Sequence, residues 1–200
     1  MQKALNGLVL VGGRSVRMGV NKAEICWHKK QQQYYLADLL GFFCEEVFIS
    51  CRTDQQQEID PDYQVLPDLF EGSGPIEAIL TAFNKRLDCA WLILACDLPL
   101  LDEAILKFLV EQRDVTKIAT AFLNPVNNLP EPLVAIWEAE SYGLLLSAHQ
   151  QKHLSLRKLL IQHHAKMIKA PNPDALINAN TPADAKIVKG ILQKNASFIR

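Results

Sequence analysis

The sequence lacks a strong charge of either sign. Its 200 residues carry 21 Lys and Arg against 22 Asp and Glu, which gives a formal net charge of −1. A chain without a global basic field is not expected to bind nucleic acid or an anionic membrane through its overall charge. Any anionic ligand must therefore be held by a local cluster of cations.

Long hydrophobic runs are also missing. No apolar stretch approaches the roughly 20 residues that a helix needs to cross a bilayer. The first residues, MQKALNG, lack the apolar core of a signal peptide. These absences favour a cytoplasmic protein that has no membrane contact.

Paired cysteine motifs and common catalytic patterns are absent too. The sequence has no C-x-x-C pair, no metal-type spacing among its histidines and no Gly-x-Ser-x-Gly turn. The histidines are interpreted as surface or helix-face residues, and a covalent mechanism is not indicated. The odd number of cysteines predicts reduced thiols rather than a disulfide framework: Cys26, Cys44, Cys51, Cys89 and Cys96.

Apolar runs and helical patterns alternate along the whole chain. This alternation predicts one α/β domain over residues 1–200 with a largely parallel sheet. Strands are predicted at 8–11, 47–50, 63–68, 91–97, 117–122 and 133–137, and helices at 34–43, 76–87, 102–112, 153–164 and 180–192. Ligands of such sheets bind beyond the carboxyl ends of the strands, so the residues at those ends carry the functional argument.

The first strand ends in a glycine pair and a basic loop, LVLVGGRSVRMGVNK. Gly12 and Gly13 allow a sharp turn whose backbone N–H groups can point at phosphate oxygens. Arg14, Arg17 and Lys22 add three cations, which favours a triphosphate ligand. The loop fits neither G-x-G-x-x-G nor G-x-x-x-x-G-K-[ST]. A solvated turn is the alternative.

The run WLILACDLPLL predicts a strand buried on both faces that ends at Asp97. Mg²⁺ commonly bridges one or two carboxylates and substrate phosphates, so Asp97 is the candidate metal ligand. The alternative is a turn or capping residue. Asp102 already supplies a cap for the next helix, which weakens that alternative.

The segment VLPDLFEGSGPIEAI places a third acid beyond a strand. Gly74 and Pro75 predict a helix start, where anions or polar ligand edges are favoured. Asp68 can accept hydrogen bonds from a purine base or a ribose hydroxyl. It can also be an acid in a surface turn.

The segment LINANTPADAKI begins the last predicted helix. Thr181 and Asp184 are interpreted as its capping pair. Asn178 and Asn180 are not needed for that cap, so they can offer amides to a ligand or support a metal. Arg157, in the run LSLR, either meets an acceptor phosphate or faces solvent.

Taken in order, these segments resemble the motifs of the molybdenum cofactor guanylyltransferases of the MobA type, from about residue 7 to residue 188. The resemblance implies a Rossmann-like three-layer α/β/α sandwich. It also implies Mg²⁺-dependent transfer of GMP from GTP to molybdopterin or its molybdenum-loaded form. Pyrophosphate is the other product. A molybdoenzyme or a cofactor-delivery protein is an expected partner.

The resemblance also implies roles for individual residues. By resemblance, the residues expected at the nucleotide are Leu10, Val11, Gly12, Lys22, Ser50 and Asp68, and the loop and helix-start patterns described above add Gly13 and Gly74. Asp97 would hold magnesium, with Arg14, Arg17 and Lys22 completing the catalytic set. Asn178 and Asn180 match residues on the pterin side of the site.

The sequence departs from the family pattern at three positions. Val11 replaces the usual Ala, Asn21 replaces an Asp, and Ser50 is shorter than the Asn of some members. Because these positions lie near the expected base, CTP or a sugar-phosphate substrate stays open as an alternative. A nucleotide-binding adaptor without catalytic activity is the third interpretation.

Overall fold

The computed structural model describes residues 4–11, 22–70 and 74–198, with the backbone alone at residues 22 and 195–198. The described strands are β1 Leu5–Leu10, β2 Val47–Cys51, β3 Val65–Pro67, β4 Ala90–Ala95, β5 Ala119–Leu123, β6 Pro130–Trp137 and β7 Lys166–Lys169. The described helices are α1 Gln32–Gly41, α2 Pro75–Lys85, α3 Glu103–Glu111, α4 Tyr142–Gln150, α5 Leu156–Gln162 and α6 Pro182–Phe198.

The strands form one sheet in the order β3-β2-β1-β4-β6-β5-β7. β6 runs antiparallel to both of its neighbours, β4 and β5. The other pairs of the described sheet are parallel. Every residue of β1 and β4 is buried, as expected for strands covered on both faces. The predicted fold class is confirmed.

Helices cover both faces of the sheet and form the three layers. One apolar cluster joins α1 and α3 to alternate residues of the central strands. The other cluster joins α2, α4 and α5 to the opposite face. Gly7 allows helix α1 to lie close to β1, because a Cβ at this position would stand only 3.0 Å from Leu40 Cδ1.

Three elements differ from the sequence-based predictions. Strand β1 begins at Leu5, three residues before the predicted start at residue 8, because the strand includes Asn6, a buried polar residue outside the apolar run. Helix α4 was not predicted, because few of its residues are buried and no side chain caps its start. Strand β7 was not predicted either, since this four-residue edge strand has a lysine at each end around Met167 and Ile168 and shows no period-two alternation.

Candidate functional site

The end of β1 lies between the ends of two neighbouring strands. Leu10 is in register with Ser50 of β2 and with Ala95 of β4. One residue further, the Val11 N–H donates to the Ser50 carbonyl at 3.2 Å. Leu10 and Val11 are both buried, and Val11 belongs to the apolar cluster on the α1 side. The bulk that Val11 adds is therefore accommodated within the core.

Ser50 and Asp68 form a hydrogen-bonded pair at the ends of β2 and β3. The Ser50 hydroxyl donates to Asp68 Oδ1 at 2.7 Å, and the Asp68 N–H donates to the Cys51 carbonyl at 2.9 Å. Burial raises the pKa of the Asp68 carboxyl, while the Ser50 hydroxyl opposes that rise. Ser50 is buried and its hydroxyl donates to Asp68, so this hydrogen bond orients the Asp68 carboxylate.

Asp97 lies two residues beyond the end of β4, at the same edge of the sheet. The Asp97 carbonyl accepts from the Ala179 N–H at 2.8 Å. Asn178 and Asn180 flank Ala179 in the chain, so this bond holds their backbone near Asp97. Burial raises the pKa of the adjacent Cys96 thiol, which keeps that neighbour neutral. The hydrogen bond from Ala179 thus places the backbone of residues 178–180 beside that of Asp97.

Asp97 is the metal ligand that the sequence predicts, and its role as a magnesium ligand stays a prediction. Within the described residues, no group of three or more His, Cys, Asp or Glu side chains is arranged to hold a metal ion. Mg²⁺ needs only one or two carboxylates when substrate phosphates and water complete its shell. A partly exposed carboxylate beyond a buried strand meets that need.

The start of α6 has the predicted cap. Asp184 Oδ2 accepts from the Asn180 N–H at 3.0 Å and from the Thr181 N–H at 2.8 Å. The Asp184 N–H donates back to Thr181 Oγ1 at 3.2 Å. The interpretation of Asp184 as a capping residue is confirmed, and the Asn180 backbone is fixed beside Asp97.

The start of α2 has the predicted glycine and proline, with an acid occupying the first turn. The Gly74 N–H donates to Glu77 Oε2 at 2.9 Å. The Glu77 carboxylate is buried and lies 3.4 Å from His149 Nε2. A negative charge already sits at this helix end, which makes it better suited to a polar ligand edge than to a phosphate.

Part of the predicted site lies outside the described residues. Gly12, Gly13, Arg14, Arg17 and Asn21 belong to that part. Lys22 begins a 3₁₀ turn over Lys22–Glu24, and its side chain is not described. The phosphate-binding role of the loop stays a prediction.

Two side chains have contacts that the sequence did not signal. His28, predicted as a surface or helix-face residue, is partly buried; its ring stacks on Tyr35 with centroids 3.9 Å apart and its Nε2 lies 2.7 Å from the Pro99 carbonyl. The Arg157 side chain is partly exposed and contacts the first two residues of β6, which lie at the same edge of the sheet as the end of β4. Its Nε donates to the Pro130 carbonyl at 3.0 Å, and its Nη2 lies 3.6 Å from Glu131.

A polar cavity of about 440 Å³ opens beside Val11 on the α1 side of the sheet. Its described walls carry carboxamides, carboxylates and two aliphatic side chains: Val11, Glu24, Gln31, Gln33, Gln55, Glu58 and Ile59. These walls include no cation, so by themselves they do not form a phosphate site. Sequence reasoning did not identify this cavity, because its walls come from three separate segments.

A mostly parallel α/β/α sheet with acids and amides gathered at adjoining strand ends defines the Rossmann-like class of nucleotide-binding domains. Residues 7–167 match the family model described as the MobA-like NTP transferase domain, and the chain belongs to that family. It is therefore a nucleotidyltransferase by class.

The similarity to curated proteins extends over most of the chain. The chain is 34% identical to a molybdenum cofactor biosynthesis bifunctional protein of Synechocystis sp. over 92% of its length, and spans 53% of that relative. It is 32% identical to a probable molybdenum cofactor guanylyltransferase of Carboxydothermus hydrogenoformans, covering 88% of this chain and 90% of the relative.

A solved structure shares the fold. The molybdopterin-guanine dinucleotide biosynthesis protein A of Archaeoglobus fulgidus superposes with a TM-score of 0.78 at 23% identity. The match covers 94% of this chain and 99% of that one. None of the described helices is both long and apolar enough to cross a membrane.

Proposed function

We propose that the protein transfers GMP from GTP to molybdopterin, or to its molybdenum-loaded form, and releases pyrophosphate. The observation that carries this proposal is the hydrogen bond from the Ala179 N–H to the Asp97 carbonyl, which links the segment of Asn178 and Asn180 to the end of β4. We assign the Ser50–Asp68 pair and the end of β1 to the nucleotide. We assign Asn178 and Asn180 to the acceptor. The names of the curated relatives support the same reaction.

The chemistry needs no nucleophile from the protein. An oxygen of the acceptor phosphate forms a bond to the α-phosphorus of GTP, and the bond from that phosphorus to the β-phosphate bridging oxygen breaks. The pyrophosphate leaves with the electron pair of the broken bond. Alignment of the two substrates and stabilisation of the departing charge are what the protein contributes.

The roles of the charged residues follow from this reaction. We assign Arg14, Arg17 and Lys22 to the triphosphate, where they offset the charge that develops on pyrophosphate. Asp97 would hold Mg²⁺, which when bound supplies charge neutralisation between the phosphates. Leu10, Val11, Gly12, Gly13 and Gly74 form the walls along the nucleotide.

Base selection is assigned to Asp68. Guanine presents N–H donors on its pairing edge, and a carboxylate accepts from them. The Ser50 hydroxyl holds one carboxylate oxygen at 2.7 Å, which leaves the other oxygen to face the base. Ser50 therefore acts through Asp68 in this proposal and does not contact the base itself.

We place the protein in the cytoplasm and expect it to pass its product to a molybdoenzyme or a cofactor-delivery protein. The five cysteines are unbridged, which suits a reducing compartment.

The nucleotide is tested by thermal shifts with GTP, CTP, ATP and UTP, each with and without Mg²⁺. A ligand that binds only the native state raises its melting temperature, so GTP with Mg²⁺ should give the largest shift. Pyrophosphate release should then require GTP, molybdopterin and Mg²⁺ together. A shift with CTP but none with GTP would refute the proposal. GTP binding without pyrophosphate release would indicate an adaptor.

The metal role of Asp97 is tested by Asp97→Ala. We expect turnover to be lost while the melting temperature stays within a few degrees of the native protein, because the side chain is only partly buried. Asp88→Ala removes an exposed acid just before the start of β4, at the other end of that strand from Asp97, and serves as the control. Full activity of Asp97→Ala would remove Asp97 from the metal site.

A further inference from the structure

The segment that follows Asp97 is held by hydrogen bonds from outside itself. Four of its backbone carbonyls accept from distant groups: Asp97 O from the Ala179 N–H at 2.8 Å, Leu98 O from Gln32 Nε2 at 3.3 Å, Pro99 O from His28 Nε2 at 2.7 Å and Leu101 O from the Tyr35 hydroxyl at 2.9 Å. Three of these donors belong to residues 28–35, at the start of α1.

Gln32 makes this contact at a cost to stability. Its side chain is fully buried, and its Oε1 has no hydrogen-bond partner among the described residues. A buried acceptor without a partner destabilises the native state, and an aliphatic side chain of similar size would avoid that cost. The contact that Gln32 does make is with Leu98, the residue directly after Asp97.

His28 and Tyr35 act on the same segment as a stacked unit. Their rings lie 3.9 Å apart at an interplanar angle of 15°. A carbonyl only accepts hydrogen bonds, so His28 Nε2 carries the proton in its contact with Pro99. The stack therefore fixes both donors. Because their acceptors are the carbonyls on either side of Leu100, it limits how far the segment can move.

We propose that Gln32, His28 and Tyr35 are positioning residues that hold the Asp97–Leu101 backbone and thereby place the Asp97 carboxylate for the divalent cation. This inference rests on the proposed function, in which Asp97 binds that cation. A ligand carboxylate must be held within a fraction of an ångström, and residues that support metal ligands change metal affinity when they are removed.

Two matched pairs of substitutions test the inference. Gln32→Leu and Tyr35→Phe remove donors to the segment. Gln33→Leu and Tyr34→Phe make the same changes at the neighbouring positions. Gln33 is also buried, but its Nε2 donates to Gln31, and the Tyr34 hydroxyl accepts from the Asp60 N–H. The controls thus share the helix and the chemistry without touching residues 97–101 in any described contact.

The first measurement is Mn²⁺ binding followed by electron paramagnetic resonance in the presence of GTP. We expect Gln32→Leu and Tyr35→Phe to weaken Mn²⁺ binding about tenfold. GTP binding in EDTA should stay unchanged, and the melting temperature of Gln32→Leu should be equal to or above that of the native protein. Mn²⁺ binding equal to that of the two controls would overturn the inference.

The second measurement is hydrogen exchange of the Ala179 amide, which donates to Asp97 O and reports on the position of that backbone. Exchange should be faster in Gln32→Leu than in Gln33→Leu, and equal rates would overturn the inference. If exchange responds as expected but Asp97→Asn binds Mn²⁺ as the native protein does, the metal assignment in the proposed function has failed instead.

Discussion

Asp68 gives the proposed site a pH dependence whose sign differs between binding and stability. Burial raises the pKa of its carboxyl above the usual value near 3.8. As the pH falls through that raised pKa, the carboxylate is protonated and loses its ability to accept from guanine, so GTP affinity should fall. The folded protein takes up this proton more readily than the unfolded chain, so the contribution of Asp68 to stability should rise over the same window.

Two variants isolate this effect. Asp68→Asn should bind GTP more weakly and lack this part of the pH dependence, which calorimetric titration between neutral pH and pH 4 would measure. Ser50→Ala removes the hydrogen bond that opposes the rise in pKa, and should move the midpoint for Asp68 to higher pH. If GTP affinity depended on pH in Ser50→Ala as it does in the native protein, the role given to the Ser50–Asp68 pair would be contradicted.

Asn21 offers a second prediction at this scale, argued from the sequence. An Asp at this position would add a negative charge beside Lys22, whereas Asn keeps the hydrogen-bonding shape without the charge. We expect Asn21→Asp to change the rate or the affinity for GTP by less than about tenfold, or roughly 1.4 kcal/mol. Steady-state kinetics would test this. A gain of several orders of magnitude would mean that the natural chain is catalytically impaired.

Two consecutive helices end in the same strained turn. Lys152 follows α4 with φ 57°, and His164 follows α5 with φ 52°. The bonds from the His153 N–H to Ala148 O and from the Ala165 N–H to Leu160 O complete a Schellman motif at each end. Glycine adopts this left-handed conformation without the Cβ penalty.

We therefore expect Lys152→Gly and His164→Gly each to stabilise the protein by up to about 1 kcal/mol. Urea unfolding would measure the change. Lys152→Ala and His164→Ala are the controls, because alanine retains the Cβ and should bring no comparable gain. An equal gain from the alanine variants would show that loss of the long side chain is responsible.

Elements with strong local signals could be predicted from the sequence, and the others could not. The run 91–97 indicates β4 because a strand buried on both faces is apolar throughout. Asp102 indicates the start of α3, and its Oδ1 does accept from the Ile105 N–H at 2.9 Å. β7 depends on pairing with β5, more than 40 residues earlier, and that partner leaves no periodic pattern in β7 itself.

At the scale of the whole molecule, a buried ion pair joins the end of α3 to the end of β6. Arg113 Nε lies 2.7 Å from Glu138 Oε1, with side chains that are 2% and 0% exposed. A second bond of 2.8 Å completes a bidentate contact. Removing one partner leaves a buried charge, so Arg113→Ala should lower the free energy of unfolding by about 3–5 kcal/mol.

Arg86→Ala is the matched control for this prediction. Arg86 pairs with Asp88 at 3.0 Å and with Glu46 at 3.4 Å, but all three side chains are substantially exposed. Its loss should lower the free energy of unfolding far less than Arg113→Ala does in the same urea experiment, because water screens an exposed ion pair. Similar costs for the two variants would contradict the importance given to burial.

The candidate site was predictable as a set of positions and not as a set of contacts. Asp68 and Asp97 are the last residues of predicted strands, so the sequence places them at one edge of the sheet. The contact between His28 and Pro99 spans 71 residues, and no periodicity in the chain signals it. Likewise, the Ser50 hydroxyl could be assigned to Asp68 only once β2 and β3 were seen side by side.

The place of β6 in the sheet constrains the order of assembly during synthesis. Strands β1 to β4 can pair as soon as residue 95 has left the ribosome, whereas β5 hydrogen-bonds only to β6 and β7 within the described sheet, and both come later in the chain. Until β6 enters, β4 has an unpaired apolar edge and β5 has no neighbour. Translation that stalls between β5 and β6 should therefore release a chain prone to edge-to-edge aggregation.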